Sequence, residues 1–341
     1  MRHVLVLIAF LFAAAPLYAH SGAAAGAAEP ESIFKLEKLS DHAWALYGRG
    51  GNVGFLVTGE GVLVVDDQYQ NVAQGIVDQI RTVTDKPIRF LVNTHYHEDH
   101  AGGNRVFAGF AEIIAHHSVR QRLIEFPLQQ QRELPAEVRR LESELAGLKD
   151  EDDPYRTAVA RELRLLNFLS DSAQAFDRAA VAPPALTFER AVRVWLGEQQ
   201  IEILHFGPAH TDGDVVVYFV NEKVLHMGDV FWNGMYPFID TRGGGSFSGM
   251  ITAIDRALEV AAPDAKVIPG HGQVTDVATL RRFRQFLSDL RAKVRRAVEQ
   301  GLSPAEAIRS IDMDDYPEIT PQFMALGNDI LAAWQESQPA P

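Results

Sequence analysis

The chain has no cysteine among its 341 residues. That excludes disulfides, thiolate metal ligation, cysteine-built structural zinc clusters and a lipid-bearing cysteine anchor, and leaves nothing for an oxidising compartment to cross-link. An excess of positive charge is also missing: 32 Lys and Arg stand against 45 Asp and Glu, for a formal net charge of −13. A nucleic-acid partner, which would call for a basic stripe, is therefore not expected. The apolar stretch at the start, Val4 to Ala15, is too short to span a bilayer comfortably. Preceded by Met1-Arg2-His3 and followed by Pro16-Leu17-Tyr18-Ala19, it reads as an export signal over 1–19, with a loose Ala/Gly-rich segment over 20–30. The expected location is periplasmic or secreted, with no stable membrane anchor after cleavage. No internal repeat of solenoid length is present.

What the chain does have is a dense cluster of metal-competent groups. His95-Tyr96-His97-Glu98-Asp99-His100-Ala101-Gly102-Gly103 follows the apolar run Ile88 to Thr94, which reads as a buried strand, and its glycines permit a tight turn into a helix. A polar surface loop would account for one histidine here, but not for three in six residues beside an aspartate. Without cysteine, the site must be built from nitrogen and oxygen, a donor set that suits zinc, iron or manganese.

Further candidates lie downstream. His210 closes the loop Phe206-Gly207-Pro208-Ala209-His210-Thr211, between an alternating segment from Ile201 and the strand-like run Val215 to Val220. Asp229 ends the strand-like Val224-Leu225-His226-Met227-Gly228-Asp229, and His271 lies in Ile268-Pro269-Gly270-His271-Gly272 after another short apolar run. Each therefore stands at the end of an expected strand, where ligands gather in layered α/β proteins.

From about Phe34 to Thr275 the chain resembles the metallo-β-lactamase superfamily. The family motif H-x-H-x-D-H is matched by His95, His97, Asp99 and His100; the G-P-x-H-T pattern places His210, the bridging acid matches Asp229, and P-G-H-G supplies His271. The stretch Gly50 to Val57 followed by Val62 to Asp67 looks like the family's opening hairpin. Its glycines are not a dinucleotide loop, because a strand follows rather than a helix. The resemblance implies two divalent metal ions, zinc being expected and iron or manganese the alternatives. His95, His97 and His210 would hold one, Asp99, His100 and His271 the other, and Asp229 would bridge them. It further implies a metal-bridging hydroxide as nucleophile near neutral pH, with Asp99 orienting the water and accepting its proton.

Metal-bound imidazoles usually donate their other N–H to a carboxylate or carbonyl, and Asp66, Asp67, Asp212 and Asp214 are candidates for that support, with plain turn roles weighed equally. His116, His117, His205 and His226 are given no ligand role, since they read as helix-start or strand residues. Phe231 to Phe238 is open to two readings, an aromatic wall for an apolar substrate or core packing.

The resemblance implies an α/β fold, a four-layer αββα sandwich with its metal site at one edge of two sheets. One domain is expected over 31–341, carrying a helical insertion over 118–182 and C-terminal helices over 276–336. Within the insertion, Arg120 to Leu123, Leu134 to Leu148 and Tyr155 to Phe176 have helical periodicity. Three placements are open for this hairpin: over the active site, against a partner subunit in a homo-oligomer, or simply packed on the sandwich.

By resemblance the function is hydrolysis of an ester, thioester, lactone or amide bond of a small-molecule substrate. A β-lactam is less favoured: β-lactamases with a cysteine at the bridging position carry a lysine three residues later, and here Asp229 and Trp232 occupy those places. The alternative within the same superfamily is an iron-dependent dioxygenase of sulfur compounds, which metal identity would distinguish.

Overall fold

The computed structural model describes residues 33–178 and 181–338, so the expected export signal and the segment after it lie outside the described residues. Strands β1 (Lys35–Lys38), β2 (Ala43–Tyr47), β3 (Val53–Val57) and β4 (Val62–Val65) form an antiparallel meander. Helix α1 (Ala73–Val83) follows because Ala73, Ile76, Val77 and Ile80 fall on one face at helical spacing, and all four are buried. β5 (Ile88–Val92), β6 (Glu112–His116) and β7 (Leu186–Phe188) then add in parallel to β4, completing a seven-stranded sheet. Two short helices, α2 (Glu98–Ala101) and α3 (Asn104–Phe107), connect β5 to β6.

A second sheet holds β8 (Ala191–Leu196), β9 (Gln199–Leu204), β10 (Val216–Phe219), β11 (Val224–His226), β12 (Lys266–Ile268) and β13 (Thr275–Asp276) in the order β13-β12-β11-β10-β9-β8. Three apolar clusters glue four layers together. Leu63, Val65 and Val92 of the first sheet pack against Ile203, Val217 and Phe219 of the second. On the outer face of the first sheet, Val62 and Val64 meet Ile76 and Ile80 of α1. The neighbouring residues of β4 thus face opposite layers, which is why the strand reads as a continuous apolar run. On the far face of the second sheet, Val216, Leu225 and Val267 are covered by α6 (Phe247–Val260), α7 (Val277–Glu299), α8 (Pro304–Ser310) and α9 (Leu326–Glu336). The fold is an αββα sandwich, and among the described residues no helix is long and apolar enough to cross a membrane.

The connection from β6 to its parallel neighbour β7 is a helical hairpin, α4 (His117–Gly147) and α5 (Pro154–Gln174). A parallel pair needs such a crossover, and this one starts at the strand ends from which the candidate ligands also emerge. The sequence reading expects separate helical pieces at Arg120 to Leu123 and Leu134 to Leu148; the structure joins them into one helix that runs through Pro127 and Pro135. An interior proline typically costs a helix about 3 kcal/mol. Continuity survives because Val119, Phe126, Leu134 and Leu141, spaced at about two turns, keep one buried seam on both sides of the prolines. Leu134 and Leu141 pack on Val159 and Leu166 of α5 in an apolar cluster of the hairpin's own.

Candidate metal centre

Seven side chains converge where β5, β11 and β12 end and the β9–β10 loop turns. The tool of convergence is backbone geometry close to glycine. A Cβ on Gly51 would fall on the His100 ring, and one on Gly270 would fall on the Asp229 carboxylate, so both positions need the missing side chain. The β2–β3 glycines therefore serve close packing on the site. Asp229, expected from the sequence to end a strand, sits instead in a 3-10 turn, Gly228–Val230, because β11 stops three residues earlier at His226. Gly228 has φ +50°, and its amide donates to His226 Nδ1 at 3.1 Å.

The donor atoms form two groups: His95, His97, His210 and Asp229 in one, Asp99, His100 and His271 in the other, each within 4.8 Å. Asp229 lies between them. Its Oδ2 is 3.9 Å from His95 Nε2, 3.5 Å from His210 Nε2 and 3.4 Å from His271 Nε2, while its Oδ1 is 3.1 Å from His100 Nε2. Across the groups' inner faces, His97 Nδ1 is 2.9 Å from His210 Nε2, and His100 Nε2 is 3.4 Å from His271 Nε2. The mouth is formed by His97, Asp99 and His271, whose side chains are about one-fifth exposed; His95, His100 and His210 are fully buried.

Each of four imidazoles is held from behind through its other nitrogen. His95 Nδ1 meets Thr94 Oγ1 at 3.0 Å, and that hydroxyl donates to Asp66 Oδ2 at 2.8 Å. His100 Nδ1 lies 2.7 Å from the same Asp66 oxygen, and Asp66 Oδ1 accepts from the Thr94 amide at 2.7 Å. His210 Nδ1 faces the Phe238 carbonyl at 2.6 Å, and His97 Nε2 faces Asp240 Oδ2 at 2.9 Å. Asp240 also accepts from the Tyr96 hydroxyl and, at 2.9 Å, from the Gly243 amide.

Of the four acids expected as support, only Asp66 touches imidazoles of the site. Asp67 accepts from the Gly103 amide, Asp212 pairs with Arg122 of α4 at 2.7 Å, and Asp214 caps the turn at Thr211, with hydrogen bonds of 2.8 and 2.6 Å. Asp240 and Thr94 escape a reading by sequence: Asp240 is 143 residues from the imidazole it holds and carries no local pattern that marks it. His116 stacks on His205 with ring centroids 3.9 Å apart, and His226 bonds backbone on both ring nitrogens. The aromatic stretch after Asp229 divides between its two readings. Phe231 is fully buried against Phe283; Trp232 is buried with its Nε1 donating to the Asp229 carbonyl and its ring 4.3 Å from His271; Phe238 is half-buried and stacks on His97.

Electrostatically the two groups differ in degree: in the first, His97 is raised, its burial being outweighed by Asp240, Asp99 and Asp229, but its two companions are not. Burial drives His95 well below the usual imidazole range and His210 down to about 4, so both are neutral with a lone pair to offer. For His271 burial works in the same direction, but Asp229 and Asp99 outweigh it and raise it to about 9. His100 is likewise raised, by Asp229, Asp99 and Asp66 against its burial. Asp99 is held at about 2, burial being overcome by His100 and His271.

A metal fits these residues on one observation above all: His95 Nε2 is buried, points into the cluster and has no hydrogen-bond partner. Five imidazoles and two carboxylates crowded around such an atom are a costly arrangement for a packed core and the right donor set for divalent cations. Replacing Asp66 with Asn, which tolerates the left-handed backbone (φ +64°) at this position, is expected to keep the fold and lower zinc affinity by roughly 10- to 100-fold. Competition with a chromogenic chelator reads this; an unchanged affinity would reduce Asp66 to a turn residue.

A four-layer sandwich with a histidine- and aspartate-lined centre at one edge of its sheets defines a metal-dependent class of fold. The chain belongs to the metallo-beta-lactamase superfamily, whose family model matches residues 46–271. A linear primary-alkylsulfatase from Pseudomonas sp. (strain ATCC 19151) is 22% identical over 271 residues, covering 74% of this chain and 48% of that protein, so the chain spans about half the length of the curated relative it matches. Among solved structures, a stereoselective inverting sec-alkylsulfatase from Pseudomonas sp. superposes with a TM-score of 0.64 at 18% identity, over 88% of this chain and 50% of that one. A metallo-beta-lactamase from Pontibacter korlensis gives a TM-score of 0.50 at 18% identity, over 75% and 99%.

Proposed function

We propose that the protein is an exported hydrolase that uses two divalent metal ions, zinc by preference, to cleave an ester-type bond of a small-molecule substrate. The position of Asp229 between two groups of three donors carries this reading. His95, His97 and His210 would hold one ion, Asp99, His100 and His271 the second, with Asp229 shared. When bound, the ions supply Lewis acidity and lower the pKa of a water at the site.

The chain's own residues supply position and proton handling. Asp229 places an anion where two cations would repel one another, and Trp232 fixes its backbone. Asp99, anionic and at the mouth with Oδ2 3.3 Å from His271 Nε2, is placed to accept a proton from an entering water. Asp240, Asp66 and Thr94 hold the imidazoles in register, which matters because a misplacement of about 1 Å can cost on the order of 100-fold in rate.

Carboxylic esters, thioesters, lactones and amides stand as substrates, and the named relatives add sulfate esters to this set. Trp232 occupies the place of a lysine that would grip a carboxylate, which argues against β-lactams as the preferred substrate. The test is elemental analysis of the protein as purified, and its turnover of p-nitrophenyl acetate, p-nitrophenyl sulfate, dodecyl sulfate, a lactone, a thioester and nitrocefin. Chelator-sensitive hydrolysis of at least one non-lactam substrate is expected; a single iron per chain with no hydrolysis would overturn the proposal in favour of sulfur oxidation.

A further inference from the structure

A chain of aromatic rings borders the mouth of the metal centre from one donor group to the other. Phe238 stacks on His97 at 5.9 Å between centroids, Phe323 meets Phe238 at 6.5 Å and Trp232 at 6.4 Å, and Trp232 lies 4.3 Å from His271. Phe323 comes from the segment between α8 and α9, far in sequence from every candidate ligand, and is 52% exposed. Exposed aromatic rings are common singly, but this one completes a wall whose other members touch the histidines.

The segment that carries Phe323 is tied down on both sides. Arg161 of α5 donates from one Nη1 to the carbonyls of Gln322, Phe323 and Met324 at 3.1, 3.0 and 2.9 Å. Thr320 exchanges backbone hydrogen bonds with the loop that follows Asp229, its amide donating to the Gly234 carbonyl and its carbonyl accepting from the Tyr236 amide, both at 3.2 Å. The backbone that carries the ring beside Trp232 and Phe238 is thereby fixed, while the Arg161 guanidinium faces backbone carbonyls.

We propose that Phe323, held by Arg161, is a specificity-determining residue: with Trp232 and Phe238 it receives the uncharged alkyl or aryl portion of the substrate whose polar end reaches the metal centre. The inference rests on the hydrolase reading of that site and names the class of substrate it takes. An apolar aromatic wall rewards each methylene laid on it, so recognition grows with chain length rather than with a particular polar group.

The experiment measures calorimetric binding of 1-butanol, 1-hexanol, 1-octanol and 1-decanol to the zinc-loaded protein, which needs no turnover. Affinity is expected to rise by up to about fourfold per added methylene. Phe323→Ala and Arg161→Ala should each lower 1-decanol affinity at least tenfold and flatten the length dependence, with zinc content unchanged, and Phe323→Leu should restore most of it. Trp195→Ala, at a ring 62% exposed on β8, serves as the control and should change nothing. Length-independent binding, or equal loss in the Trp195 variant, would overturn the proposal. If every substrate of the hydrolysis panel is refused while the alkanols still bind in this way, the hydrolase reading fails and the wall stands.

Discussion

Asp229→Asn is expected to lower hydrolysis by roughly a thousandfold or more and to reduce bound zinc from about two ions per chain to one or fewer. The substitution preserves shape and the Trp232 contact to the backbone, removes the charge and turns one acceptor oxygen into an NH2 donor. Among the described residues that charge is the one anion within 4 Å of imidazoles of both donor groups, His95 and His210 on one side and His100 and His271 on the other. Without it, two divalent ions held by these donors would repel with less negative charge to offset them, and several kcal/mol of stabilisation would be lost, the scale of a thousandfold in rate. Elemental analysis after gel filtration, with circular dichroism to confirm the fold, separates this outcome from unfolding. Full zinc content with full turnover would remove Asp229 from the centre.

Metal loading should also be proton-coupled, and unequally so for the two groups. His95 and His210 are already neutral at neutral pH, whereas His271 is raised to about 9 and His100 is raised as well. An imidazolium offers no lone pair, so an ion entering beside Asp99 must displace protons from His100 and His271. Below about pH 9 its apparent affinity should therefore fall by about tenfold or more for each unit of acidification, while the first group, where only His97 is raised, changes less. The sign reverses for the metal-free fold. A raised imidazole value stabilises the protonated folded state fully below the ordinary value of 6.5, and this is lost as pH rises through about 9 for His271. Zinc titrations at pH 7.5 in buffers of different ionisation enthalpy count the protons released: more than one per chain is expected, and none would contradict the charge assignment.

The candidate ligands that the structure brings together were legible in the sequence because rare residues fall there into short patterns at strand ends. His95 to His100 are adjacent, and Asp229 and His271 each follow an apolar run that can only be a core strand here. The supports were legible only where a similar constraint applied. Asp66 ends β4, beside β5, and so comes under Thr94 and His100; Asp240 and Phe238 reach His97 and His210 through a loop whose path depends on packing against α6. Phe323 is further removed still, since its place over the mouth depends on Arg161 of a hairpin inserted between β6 and β7. The continuity of α4 through Pro127 and Pro135 was hidden for a different reason. Local propensity argued for breaks, and a buried seam shared with α5 prevailed over it.

A crystal structure of the zinc-loaded protein, with anomalous scattering recorded on both sides of the zinc absorption edge, tests the central claim most directly. The account predicts two peaks, one among His95, His97 and His210 and one among Asp99, His100 and His271, with Asp229 adjoining both. A single peak, or density outside these seven side chains, would contradict it.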